Sequence, residues 1–257
     1  MARGFVRASS QYLQRSSAVI SSPPFTMACW FYSDDLTVAQ TLIEVGESIV
    51  DNRHDLILAG TVGGDPLRAR SVDDATSGSA SSSVGYSANT WQHACGVWSA
   101  SNNRVVYLNG GNSGSNTTSV VPESLDKTAV GRRTSGADYM SGRIAEVAIW
   151  SAALTAVEVA ALARGISPPY VRPTNLVDYW PLWGLHSPEI DLTANNRTLT
   201  VTGATAANHA PTQPFSHRRW MAAQLAEEAG TAGQPSHLRW GGVPYLALGP
   251  RRSGRSW

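Results

Sequence analysis

The amino-acid sequence predicts an all-β protein built as an antiparallel sandwich, with one short helix and a C-terminal extension. Charged residues make up only 15% of the 257 residues, while 23 glycines and 14 prolines supply turns. Between these turns, segments with large side chains at alternating positions recur, which is typical of strands in a two-layer sandwich. This composition excludes a coiled coil and a disordered chain.

The predicted strands are short and separated by turn-forming residues. The first two carry large side chains on both faces, as expected for strands buried between two layers. Five small or polar residues join the second strand to the third, which indicates a hairpin. In chain order the strands are predicted at Phe25–Tyr32, Trp91–Trp98, Arg104–Leu108, Arg143–Trp150, Leu176–Leu182 and Leu199–Thr202.

One helix is predicted, at Ala156–Arg164. Thr155 and Glu158 have the spacing of a capping box, in which each side chain accepts a hydrogen bond from a free N–H group of the other residue. Gly165 stands where a left-handed C-terminal cap falls.

Charge and composition change near residue 210. Residues 1–214 carry 14 basic and 17 acidic side chains, a net charge of −3, whereas residues 215–257 carry six arginines and two glutamates, a net charge of +4. A connector of small residues and prolines lies at the junction, as it does between structural units. We therefore expect a folded domain at 1–210 and a basic, aromatic-containing tail at 211–257.

The tail carries large apolar side chains that a free tail would not expose. Residues 216–230 have the pattern of a short amphipathic helix whose charges oppose the helix dipole, so we expect it to need a supporting surface. Two interpretations stay open: the tail folds over its own sandwich, or it docks on a larger assembly. The candidate docking residues are Trp220, Leu225, Trp240, Tyr245, Leu246, Leu248 and Trp257.

Three segments of the sequence together resemble a known family. They are Phe25–Phe31, Trp91–Gly110 and Gly142–Trp150, the last of which leads into the predicted helix. In order and spacing they resemble the laminin-G and pentraxin branch of the concanavalin A-like lectins and glucanases, over about residues 2–210. The resemblance implies a jelly-roll fold. It leaves the function open, because this fold hosts lectins, hydrolases, adhesion modules and virion proteins.

The resemblance also implies a structural role for the two cysteines. Pentraxins carry a disulfide between neighbouring strands, at motifs that correspond to the surroundings of Cys29 and Cys95. The resemblance thus implies a bridge or adjacent thiols at these positions. The alternative is a pair of buried thiols that act as small hydrophobic side chains.

The resemblance also bears on metal and sugar binding. Pentraxins hold calcium after the strand that corresponds to Thr128–Gly131, but this chain continues with Arg132–Ser135, which offers no carboxylate ligand. We therefore expect no metal and no cofactor. Asp138 and Tyr139 follow shortly afterwards and, with Arg133, are the candidate glycan-binding residues. The alternative is a loop aspartate and a tyrosine packed under the helix.

The sequence predicts no catalytic residues. Glu189 and Asp191 resemble the start of the acid cluster of β-glucan hydrolases with this fold, but Thr193 and Ala194 follow where the pattern needs another glutamate. Asp191 is instead expected to hold a turn through its side chain. Motifs for a serine nucleophile, a zinc protease or a phosphate-binding loop do not occur in the sequence.

Three function classes remain. A net charge of +1 gives no general attraction to nucleic acid or membranes, and the sequence has no membrane-spanning stretch and no secretory signal pattern. With 19 arginines, one lysine and an apolar tail, the chain is expected to be a bacteriophage virion-surface protein, a capsid decoration or fibre module. Its partners would be a major capsid protein, its own copies and cell-surface saccharides. The alternative is a carbohydrate-binding lectin module, and a glycoside hydrolase fits the fold alone.

Overall fold

Fifteen strands and one α-helix form the part of the chain described by the computed structural model, residues 1–49 and 51–212. The strands are β1 (Ala2–Phe5), β2 (Tyr12–Arg15), β3 (Phe25–Ser33), β4 (Ala39–Gly46), β5 (Arg53–Ala59), β6 (Pro66–Asp73), β7 (Thr76–Gly85), β8 (Trp91–Ala100), β9 (Asn103–Leu108), β10 (Gly111–Asn116), β11 (Lys127–Val130), β12 (Gly142–Trp150), β13 (Leu176–Trp180), β14 (Thr200–Thr202) and β15 (Thr205–Ala207). The helix α1 spans Ala156–Ala163.

The strands make two sheets that pack face to face. The eight-stranded sheet has the order β10-β9-β8-β3-β12-β1-β15, with β13 also paired to β12, and the seven-stranded sheet has the order β14-β2-β11-β4-β5-β6-β7. All pairings between named strands are antiparallel. The predicted all-β jelly-roll sandwich is therefore confirmed, and each predicted strand is present with bounds shifted by at most a few residues.

The core lies between the two inner faces. Phe25 on β3 and Trp98 on β8 stack with their ring centroids 4.6 Å apart, and the ring of His54 from the opposite sheet packs edge-on against Phe25 at 4.9 Å. Aromatic pairs of this kind add to the stabilisation that comes from burial of their surface. Because both sheets contribute to this cluster, it fixes their separation and leaves their outer faces for other contacts.

Helix α1 covers the outer face of the eight-stranded sheet. Val159 and Leu162 of the helix pack against Trp150 of β12. The predicted capping box is present: the Thr155 side chain accepts a hydrogen bond from the Glu158 N–H, and the Glu158 carboxylate accepts one from the Thr155 N–H. None of the described helices is long and apolar enough to cross a membrane.

The cysteines lie on neighbouring strands but do not form the bridge that the resemblance implies. Register pairs Cys29 with Ala94 and Cys95 with Ala28. Directly opposed residues share a face of a sheet, so this offset of one residue sends the two thiols to opposite faces. Cys29 belongs to the core between the sheets and Cys95 to the cluster under α1. Both are free, and burial raises the pKa of both thiols.

The last described residues pack on the outer face of the eight-stranded sheet, the face that α1 also covers. Ala210 is buried against Trp30 and Ala145, and Thr212 lines a small void beside His93. All candidate docking residues of the tail lie outside the described residues, as does the predicted helix at 216–230. The division into a domain at 1–210 and a tail at 211–257 stays a prediction.

Candidate functional site

The seven-stranded sheet carries charged side chains on the face turned away from the core. Alternation along β5 places Leu56 in the core and Arg53 and Asp55 on the outer face. Cross-strand pairing sets Glu44 of β4 and Arg70 of β6 beside Asp55. These four charged residues form the floor of the candidate site.

Residues 131–141, the loop between β11 and β12, fold over this floor. The Thr41 N–H donates to the Asp138 carbonyl oxygen at 2.8 Å, which ties the loop to β4. Thr134 donates to Glu44 Oε1 from its backbone N–H at 2.7 Å and from its hydroxyl at 2.8 Å. The loop leaves β11 through Gly131, whose φ of +82° and close approach to the Phe5 ring leave no room for a side chain.

Two predicted residues, Arg133 and Asp138, come together in the loop. The Arg133 guanidinium contacts the Asp51 carboxylate, lies 4.0 Å from Asp138 Oδ2 and lies 3.9 Å from Glu44 Oε2. Arg53 also contacts Asp51, so the loop and the floor share one carboxylate. The Asp51 and Asp138 side chains are 48% and 27% exposed, so both can reach a ligand.

The third predicted residue, Tyr139, lies beside this network with a second tyrosine. The Arg132 guanidinium carbon lies 3.4 Å from the centroid of the Tyr12 ring, and Arg132 Nη1 donates to the Tyr139 hydroxyl at 3.3 Å. Arg132 also donates to the Gln14 side-chain oxygen. The two tyrosine rings are 6.4 Å apart and tilted. Packing of Tyr139 under the helix is wrong, because α1 covers the other sheet.

Burial and ion pairing shift the pKa values of the two carboxyl groups of the floor in opposite directions. Burial, and next the nearby Asp55 carboxylate, raise the pKa of Glu44 to about 7, against the opposing hydrogen bonds from Thr134. Burial alone would raise the pKa of Asp55, but the guanidinium groups of Arg70 and Arg53 hold it below its usual range. Arg70 binds Asp55 with two hydrogen bonds of 2.9 and 2.7 Å. The floor thus holds two guanidinium groups, one carboxylate that stays ionised and one that binds a proton more readily than usual.

The acid pair considered in the sequence lies elsewhere and serves the backbone. Glu189 is fully buried and accepts from Arg3 Nε at 2.6 Å and from the Gly184 N–H at 2.9 Å. Asp191 accepts from the N–H groups of Tyr179 and Thr193 at 3.0 and 2.9 Å. Asp191 therefore holds a turn, as predicted.

No group of three or more histidine, cysteine, aspartate or glutamate side chains in residues 1–49 and 51–212 is arranged to hold a metal ion. The site residues that sequence reasoning missed are Tyr12, Gln14, Glu44, Asp51, Arg53, Asp55, Arg70 and Arg132. Gln14 and Arg132 are 118 positions apart in the chain, and only the pairing of β2 with β11 brings them together.

Comparison with protein families gives one match. A laminin G family model, described as the concanavalin A-like lectin/glucanases superfamily, matches residues 7–160. A comparison with curated proteins gave no match.

Solved structures share the fold at low sequence identity. A proposed carbohydrate-binding protein from Bacteroides ovatus aligns with a TM-score of 0.61 and 19% identity, over 82% of this chain and 61% of that one. The chain thus spans about three fifths of that protein. Tailspike protein 2 of an Escherichia coli bacteriophage aligns with a TM-score of 0.50 and 15% identity, over 71% of this chain and 28% of that one. A heptameric pentraxin from Limulus polyphemus has a TM-score of 0.48 at 18% identity, over 62% of this chain and 78% of that one.

Proposed function

The chain belongs to the concanavalin A-like lectin and glucanase superfamily, and from this premise we propose that it is a carbohydrate-binding module. The proposed binding surface is the outer face of the seven-stranded sheet, at residues 131–141 and their neighbours on β2 and in the loop after β4. This was the alternative function named from the sequence.

One observation carries the proposal: the 131–141 loop places two tyrosine rings around Arg132 and two partly exposed carboxylates around Arg133 on one face of the sheet. A sugar ring has an apolar C–H face and a rim of hydroxyl groups. The Tyr139 ring suits the apolar face, whereas one face of the Tyr12 ring is already covered by the Arg132 guanidinium. The Asp51 and Asp138 carboxylates suit the hydroxyl groups as acceptors. Binding sites of this kind combine apolar contact with a few fixed polar groups.

The same patch argues for binding without hydrolysis. Glu44 and Asp55 are cross-strand neighbours with opposite pKa shifts, which is an arrangement typical of acid–base pairs. However, both are buried, and Asp55 is occupied by Arg53 and Arg70. A glycosidase needs both carboxyl groups in contact with its substrate, so the pair is better suited to supporting a binding surface.

The virion-surface role expected from the sequence is a second proposal. It is supported by the tail composition and by the likeness in fold to a phage tailspike. The superfamily, together with the likeness in fold to the Bacteroides protein, favours carbohydrate binding as the first proposal. A binding module carried on a virion is compatible with both, and cosedimentation of the full chain with capsids tests the second.

The first proposal is tested by applying the full chain to a broad glycan array. We expect binding to at least one saccharide class, weakened about fivefold by Tyr139→Ala because a stacked ring contributes on the order of 1 kcal/mol. Tyr32→Ala is the matched control, since Tyr32 is a partly exposed tyrosine on the outer face of the other sheet. No binding to any saccharide, or an equal loss in both variants, would refute the proposal.

A further inference from the structure

Two neighbouring arginines in the 131–141 loop differ in how their charges are compensated. Arg133 lies among the carboxylates of Asp51, Glu44 and Asp138. In the described part of the chain, Arg132 has no carboxylate oxygen within 4.0 Å, although it is the adjacent residue. The positive charge of Arg132 is therefore not paired with a carboxylate of the described residues.

The surroundings of Arg132 orient it and leave donors free. Its guanidinium carbon lies 3.4 Å from the centroid of the Tyr12 ring, and its two terminal nitrogens each donate once, to Tyr139 and to Gln14. An arginine carries five N–H donors, so each terminal nitrogen keeps one hydrogen. Stacking on an aromatic ring fixes the planar fork that binds a carboxylate through two parallel hydrogen bonds.

We propose that the site takes a saccharide bearing a single carboxylate, such as a uronic or sialic acid residue, and that Arg132 binds that carboxylate. This inference rests on the proposed function and names the ligand class. Asp51 and Asp138 accept hydrogen bonds from hydroxyl groups of the same or the neighbouring sugar ring.

The charge pattern sets the limit of one carboxylate. On the side of the loop where Arg133 lies, its positive charge is already paired with Asp51 and Asp138, whose partly exposed oxygens would face a second negative charge on the ligand. Like-charge contacts at an interface cost several kcal/mol. Heavily sulfated polyanions are therefore poor ligands for this surface, and an isolated carboxylate flanked by neutral rings fits it.

The test is an array on which oligosaccharides ending in glucuronic, galacturonic, mannuronic or sialic acid are each printed beside their methyl esters. The full chain is applied at about 0.15 M salt, which screens long-range attraction. We expect at least one acid to bind about tenfold more tightly than its ester, since a charge-assisted hydrogen bond is worth more than one tenfold step in affinity.

Two arginine variants test whether Arg132 causes the preference for the acid over its ester. Arg132→Gln should abolish the difference between acid and ester, whereas Arg143→Gln should keep it. Arg143 is a matched control because its guanidinium also lies over a tyrosine, 4.3 Å from the Tyr32 ring, on the outer face of the other sheet. Both variants keep the arginines of the tail, so any electrostatic attraction between the tail and an acidic saccharide is the same in both. Near-UV circular dichroism checks that each variant is folded.

The outcomes separate this inference from the function on which it rests. Equal binding of acids and esters, or a preference that survives Arg132→Gln, would overturn the inference and leave carbohydrate binding standing. Tighter binding to heparin than to every single-carboxylate saccharide, lost in Arg132→Gln, would overturn the limit to one carboxylate. Failure to bind any saccharide, acidic or neutral, would refute the proposed function itself.

Discussion

Replacing His93 by glutamine is expected to remove one contribution that destabilises the folded protein as the pH falls from 7 to 5. His93 lies on β8 with its ring centroid 5.5 Å from that of Trp30, and its buried Nδ1 has no hydrogen-bond partner among residues 1–49 and 51–212. Burial lowers the pKa of His93 from its ordinary value of 6.5 to about 3. The folded protein thus keeps this ring neutral where an unfolded chain would protonate it.

The sign and size of the effect follow from proton linkage. Between pH 6.5 and 3 the unfolded state binds a proton at this position that the folded state does not, so stability falls as the pH falls. Between pH 7 and 5 this single histidine removes about 2 kcal/mol from the free energy of unfolding. For a domain of this size that equals a change of about 4–8 °C in melting temperature.

Replacing Glu44 by glutamine is expected to change the pH dependence of stability in the opposite direction. Burial raises the pKa of Glu44 from 4.5 to about 7, so the folded state binds the proton first and gains stability as the pH falls through this range. Urea unfolding of wild type, His93→Gln and Glu44→Gln at pH 7 and pH 5 measures all three dependences. Relative to wild type, the change in the free energy of unfolding from pH 7 to pH 5 should be more favourable to the folded state in His93→Gln and less favourable in Glu44→Gln. Identical pH dependence in wild type and His93→Gln would refute the reasoning.

Further predictions concern the cap, a buried ion pair and the tail. Thr155→Ala removes the N-cap of α1 and should cost about 1 kcal/mol in urea unfolding; no measurable cost would mean that the cap contributes nothing. Arg3→Met leaves the Glu189 carboxylate buried without its partner and should cost about 3–5 kcal/mol at pH 7, with less than 1 kcal/mol counting against a structural role for the pair. Deletion of residues 215–257 should leave the melting temperature nearly unchanged, because the core closes within the described residues. A drop of several degrees in calorimetry would favour a tail packed on its own domain.

The sequence predicted the long strands β3 and β8, which carry several large aromatic side chains, and missed β5 and β7, which carry no Phe, Trp or Tyr. β3 and β8 were recognisable because Trp and Phe recur along them. β7 reads as serines and glycines, which favour turns, and it forms because Ala80 packs into the core beside β6. β5 was hidden because its outward Arg53 and Asp55 are buried by pairing with other charges.

Strand register and long-range strand pairing determine the features that could not be predicted from the sequence. The two cysteines were placed on the right strands, yet a one-residue offset between those strands reverses the face on which each thiol lies. Arg133, Asp138 and Tyr139 are close in sequence, so one loop could be recognised as a candidate site. Tyr12 joins that loop only through the pairing of β2 with β11, which local sequence patterns do not encode.

The most direct test of the account is to locate the bound saccharide on the protein. We suggest titrating the full, isotope-labelled chain with the tightest saccharide from the array and following backbone amide shifts by NMR. The account predicts that the largest shifts fall in residues 131–141 and around Tyr12 and Asp51, on the outer face of the seven-stranded sheet. Shifts confined to the outer face of the eight-stranded sheet, or to residues 213–257, would contradict it.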